Sequence, residues 1–166
     1  MKWALYAALA AFTLAAPAAA AEARADGLAL LAALAGTWRP ADAPDSPLRI
    51  RFSTTAGGSV VVEEWSRAGR PHSLTLYHRD GDMLLATHYC PQGNQPRLVS
   101  VSQEDERQLR FAFRDGTDID AGESHLHALA FDISDPKRIV RSETYRQGGA
   151  EEPDRLVLVR EQAAIP

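Results

Sequence analysis

Two short pairs of side chains in this sequence have the composition and spacing to do chemistry. His88 and Cys90 stand two residues apart, and so do His125 and His127. In an extended chain, residues two apart share a face, about 7 Å from each other along the strand. Three imidazoles and one thiolate meeting at one level would suit zinc or copper, and one of the imidazoles could instead bind haem iron. The same spacing has a plainer use. Buried imidazoles usually hydrogen-bond to tyrosine, carboxylate or backbone, and cysteine is a common small buried residue. The residue types therefore require no cofactor, and haem, zinc or copper at His88, Cys90, His125 and His127 stay open as the alternative.

Other polar groups carry weaker signals. Gly93-Asn94-Gln95-Pro96-Arg97 reads as a sharp turn that presents two amides, with Arg97 able to hold a carboxylate in a forked pair. Its plainer reading is a turn held by its own side chains, with Arg97 in a surface ion pair. Asp115, Asp118, Asp120 and Glu123 lack the ordered spacing of a calcium loop and read as a solvated loop. Arg49 with Arg51, and Arg138 with Arg141, read as strand faces turned to water. They form no stripe with interleaved aromatics, and the net charge is −4, so nucleic acid is not an expected partner. The chain has no Gly-x-Ser-x-Gly elbow, no phosphate-cradling glycine loop and no His-Glu-x-x-His. Cys90 with His88 would be the nucleophile and base of an enzyme, but the ring sits two residues away on the same strand and reaches the thiol poorly. These signals weigh against an enzyme.

The elements that must position these residues are almost all strands. Asp26 can cap a helix over Gly27–Ala35, with Leu28, Leu31 and Leu34 spaced along it and Gly36 ending it. Ten runs rich in β-branched and aromatic residues follow: Gly36–Pro40, Leu48–Thr54, Ser59–Ser66, His72–His78, Met83–Cys90, Leu98–Ser102, Gln108–Arg114, His125–Ile133, Arg138–Arg146 and Arg155–Glu161. Turn signals such as Ala56-Gly57-Gly58, Asp80-Gly81 and Gly148-Gly149 separate them. The connections are too short for crossover helices, so neighbours must run antiparallel. Closure removes the sheet edges, which predicts an all-β, up-and-down antiparallel barrel of about ten strands behind a short helix; a two-sheet sandwich is the alternative.

A two-residue turn at Asp80-Gly81 pairs Arg79 with Asp82 and sets Tyr77 opposite Leu84. One face of that hairpin then holds Thr75, Tyr77, Ala86, His88 and Cys90, and the other holds Leu74, Leu76, Leu85 and Tyr89. A barrel of this size encloses space, which favours the face with Tyr77 and His88 as the inner one. His125 and His127 are expected on the buried face with Leu129, Phe131 and Ile133, opposite Leu126, Ala128 and Ala130.

Residues 1–21 read as an address. Lys2 precedes an apolar run, and Pro17 and small residues precede an Ala19-x-Ala21 cleavage site. Cleavage leaves one domain, residues 22–166, in the periplasm or outside the cell. No later segment approaches the ~20 apolar residues of a membrane helix, so no stable membrane span is expected after cleavage. The single cysteine rules out an intramolecular disulfide and any multi-cysteine zinc site.

Leu34-Ala35-Gly36-Thr37-Trp38 resembles the opening of the lipocalin-like (calycin) barrels, in which a short helix leads into Gly-x-Trp and a late arginine packs over the tryptophan. Arg160 matches that arginine, so the resemblance assigns Trp38 and Arg160 to barrel closure. Leu76 to Asp82, Thr87 to Arg97 and His125-Leu126-His127 are similar to uncharacterised bacterial secreted proteins of this kind, over about residues 30 to 160. The resemblance implies a fold and brings no established activity. With the signal peptide, it points to a barrel that takes a small, partly apolar molecule inside, with Tyr77, His88, Cys90, Asn94, Arg97, His125 and His127 as candidate contacts. Expression in a secreting host is expected to yield a chain beginning at Glu22, read by intact mass; retention of Met1 would refute the assignment.

Overall fold

The computed structural model describes residues 26–101 and 105–161. The export segment read in residues 1–21 lies outside them. Asp26 caps α1 (Gly27–Ala32) through its carboxylate, which accepts from the Leu28 and Ala29 amides. The helix stops short of Ala35 because its last turn tightens: the Leu34 and Ala35 amides donate to the carbonyls of Leu31 and Ala32, three residues back.

Ten strands follow: β1 (Gly36–Pro40), β2 (Leu48–Thr55), β3 (Val60–Arg67), β4 (Arg70–Asp80), β5 (Met83–Tyr89), β6 (Gln95–Ser100), β7 (Gln108–Thr117), β8 (His125–Asp132), β9 (Arg138–Gln147) and β10 (Ala150–Arg160). Each pairs antiparallel with the next, and β1 pairs with β10, so the meander closes into a barrel. Three strands start earlier than their sequence suggests, each because a proline is tolerated at an unpaired flank. β4 includes Pro71, which pairs toward β3 and lies outside the β4–β5 ladder that begins at Leu74. β6 includes Pro96, which lies outside the β5–β6 ladder of Leu85–Thr87 with residues 97–99. β10 includes Pro153, whose only ladder neighbour is β9, because β1 meets β10 only at Leu158, Val159 and Arg160.

The β4–β5 hairpin differs from its expected register. Asp80 pairs with Met83 and Tyr77 with Ala86, so the two loop residues are Gly81 and Asp82. Gly81 has φ of +60°, at the first loop position that such turns give to glycine. Tyr77 therefore faces Ala86 rather than Leu84, an even-numbered shift that leaves the faces unchanged. Thr75, Tyr77, Ala86 and His88 are all buried, as the inner-face reading requires.

The end of the barrel that holds α1 is filled. Trp38, Ile50, Phe52, Leu98, Phe111, Leu129, Phe131, Ile139 and Leu158 pack there with Leu28, Leu31 and Leu34 of the helical segment. Trp38 donates its indole N–H to the Leu34 carbonyl at 2.8 Å. The Arg160 guanidinium carbon lies 4.5 Å from the centre of the Trp38 ring, and its nitrogens donate to the Ala35 and Ala33 carbonyls at 2.6 and 2.9 Å. One arginine thus covers the tryptophan and caps the carbonyl end of the helical segment. Gly36, at φ +128°, lets it approach: a Cβ there would lie 2.8 Å from Arg160 Nη1. Trp38→Ala is expected to lower the unfolding free energy by about 3–5 kcal/mol in urea titration; a loss under about 1 kcal/mol would deny the ring its central place.

Candidate functional site

At the other end, where the β3–β4, β5–β6, β7–β8 and β9–β10 connections lie, strand alternation turns polar groups into the lumen. On β3 the inward row is Val61, Glu63 and Trp65. On β9 it is Ile139, Arg141, Glu143 and Tyr145. Glu63, Thr75 and His88 lie side by side across β3, β4 and β5.

These rows meet at a buried ion pair. Arg141 Nε donates to Glu63 Oε1 at 2.7 Å, and Arg141 Nη1 donates to Glu143 Oε2 at 2.5 Å. Trp65 Nε1 donates to the same Glu63 oxygen at 2.6 Å, and the Tyr77 hydroxyl donates to Glu63 Oε2. Glu63 is 0% exposed and Arg141 1%. The guanidinium carbon lies 4.6 Å from the centre of the Trp65 ring. Its third nitrogen, Nη2, is buried without a hydrogen-bond partner. β3 and β9 stand across the ring of strands from each other, so the pair bridges the lumen.

Burial works against the charge on Arg141, and the neighbouring Glu63 and Glu143 carboxylates more than offset it, holding the guanidinium above its ordinary value. Burial, then Glu63, pushes the Tyr77 phenol well above its ordinary value, so it stays a donor. Burial, followed by Arg141, lowers His88 to about 4. The neutral ring shares one nitrogen with Thr75 Oγ1 at 2.9 Å and the other with the Tyr145 hydroxyl at 3.3 Å. Burial, then Glu143, also raises Tyr145.

The remaining sequence-derived candidates lie higher or outside. A bulge between Leu126 and Ala128 changes the phase of β8. Leu126, expected on the opposite face, is buried in the core, while His125 and His127 are half-buried around Phe113, at ring-centre distances of 4.8 and 5.4 Å. They therefore do not continue the buried Leu129–Phe131 row. His127 Nδ1 is buried and unpartnered. Cys90 is a buried free thiol whose backbone amide donates to the Asn94 carbonyl at 3.1 Å. Asn94 donates its side-chain amide to Glu123 Oε1 and the Ser124 carbonyl, both at 3.0 Å, which ties two mouth loops together. Arg97 forms a half-exposed ion pair with Asp115. Among the described residues, no three His, Cys, Asp or Glu side chains gather in a metal-holding group.

Arg141 corrects the sequence reading most. It was expected to face water, as Arg51 and Arg138 do, and it lies at the centre of the lumen. Glu63, Trp65, Thr75, Glu143 and Tyr145 were not singled out by sequence either. The signal was present: Ile139-x-Arg141-x-Glu143-x-Tyr145 and Val61-x-Glu63-x-Trp65 place the charges on the same strand face as apolar residues.

A cleft of about 500 Å³ lies at the β3–β4 rim, where Trp65 and Ser73 meet the outward-facing row Arg51, Glu64, Leu74 and Tyr89. Neither a protein-family model nor a curated protein matches the chain.

His88 sets a pH dependence. Its folded value of about 4 lies below the ordinary 6.5, so the unfolded chain binds the proton more readily. Stability is expected to fall as pH drops from 6.5 toward 4, by up to about 3 kcal/mol below both values. Urea titrations across that range check it. In His88→Asn that part of the slope should vanish; an unchanged slope would exclude His88 as its source.

Proposed function

We propose that this is an exported lipocalin-like barrel that binds a small, partly apolar molecule in its mouth. The observation that carries the reading is the division of the lumen. The α1 end is filled with side chains, while the other end has a polar floor, Glu63–Arg141–Glu143, beneath Trp65, Phe113 and Tyr145. Apolar walls with a few fixed polar groups are the usual makeup of small-molecule sites. Trp65 also reaches the cleft at the β3–β4 rim, so the mouth is continuous there with the outer surface. The amino-terminal Lys2, apolar run and Ala19-x-Ala21 support export.

Native mass spectrometry, visible absorbance and metal content of residues 22–166, purified from a secreting host without chelators, test the reading together. A colourless, metal-free protein carrying an organic adduct that Trp65→Ala loses is expected. A Soret band or near-stoichiometric metal, lost in His125→Ala or His127→Ala, would replace this reading with a haem or metal carrier.

A further inference from the structure

The groups around the bridge also specify what the bound molecule presents to it, an inference that rests on the binding reading above. Arg141 spends Nε on Glu63 and Nη1 on Glu143, and Nη2 has no partner. A guanidinium nitrogen carries only donors, so it calls for an acceptor. Glu143 is the one member of the trio with appreciable exposure, at 14%, and among the described residues only its Oε2 is engaged. Its other oxygen calls for a donor.

Charge narrows the class. Two carboxylates flank one guanidinium, leaving the trio with a formal charge of −1. His88 adds nothing near neutral pH, because burial and Arg141 keep its ring uncharged. A carboxylate ligand would meet two fixed carboxylates at low dielectric, with the buried Arg141 cation already neutralised. An ammonium ligand would meet Arg141 and could not supply the acceptor that Nη2 lacks. A hydroxyl both accepts and donates through one atom, and a primary amide does so through two.

We infer that the bound molecule is uncharged and presents an alcohol, phenol or carboxamide to Arg141 and Glu143 from a partly apolar body that lies against Trp65 and Tyr145. The barrel therefore selects against free carboxylic acids.

Isothermal titration of the folded mature chain near neutral pH with 2-naphthalenemethanol, 2-naphthamide, 2-naphthoate and 2-naphthylmethylammonium tests this on one shared apolar body. The alcohol or the amide should bind at least about tenfold more tightly than the carboxylate and the ammonium. In Glu143→Gln, with folding checked by circular dichroism, the lead over the carboxylate should shrink severalfold. A native protein that binds the carboxylate or the ammonium as well as the neutral probes overturns this inference and leaves the binding reading standing. An unchanged lead in folded Glu143→Gln overturns the role given to Glu143. No binding by any of the four at millimolar concentration, nor by 2-methylnaphthalene, removes the binding reading and this inference with it.

Discussion

A charge fully removed from water must be answered where it sits, and in this barrel the answer lies across the lumen. Arg141 comes from β9 and Glu63 from β3 on the far side of the ring. Desolvation of each is offset because the other is there, and because Trp65, Tyr77 and Glu143 add hydrogen bonds that leave Arg141 Nη2 alone unpartnered in the pair. The pair therefore fixes two walls at one spacing. It also sets a floor: below it the interior is filled with apolar side chains, level with it stand Thr75 and His88, and above it the rows carry Trp65, Tyr145 and Phe113.

The filled end has its own logic. A ring of strands closed by a short ladder needs something to hold the seam shut, and β1 contributes Trp38, Arg39 and Pro40 to its pairing with β10. The seam gains strength from what lies over it. Trp38 is bonded to the helical segment, and Arg160 stacks on Trp38 while capping the same segment. The plug and the seam are in effect one structure. This leaves the opposite end free of any requirement to pack tightly, and that is where the polar groups are found.

Much of the architecture is legible in the residue order because alternation, turn residues and short connections all act locally. The ten strands and their antiparallel pairing follow from such local signals; the inner face of β4–β5 rests on the size of the barrel, and the Trp38–Arg160 contact on the resemblance to lipocalin-like barrels. The site was less legible, for two reasons. Arg141 and Glu63 look like surface residues until each is known to face the other, and that knowledge needs the three-dimensional ring. His125 and His127 obey alternation only up to the bulge at Leu126, an insertion of one residue that no residue type there announces. Asn94, which reads as a ligand contact or as part of a self-held turn, donates its side-chain amide to Glu123 and Ser124 and so staples two loops.

The seam has a consequence for how the molecule is made. Arg160 and Ala35 lie 125 positions apart in the chain, so the contact between the helical segment and the last strand cannot form until that strand has been made. Loop closure over such a distance is slow relative to hairpin formation. A chain emerging amino terminus first must hold β1 as a bare edge through the growth of nine hairpin-linked neighbours. The arriving strand is protected on the flank that stays unpaired: Glu151, Glu152, Pro153 and Asp154 make it a poor template for another chain. The hazard for this protein therefore lies in assembly, in the interval before residue 160 arrives, more than in the closed barrel.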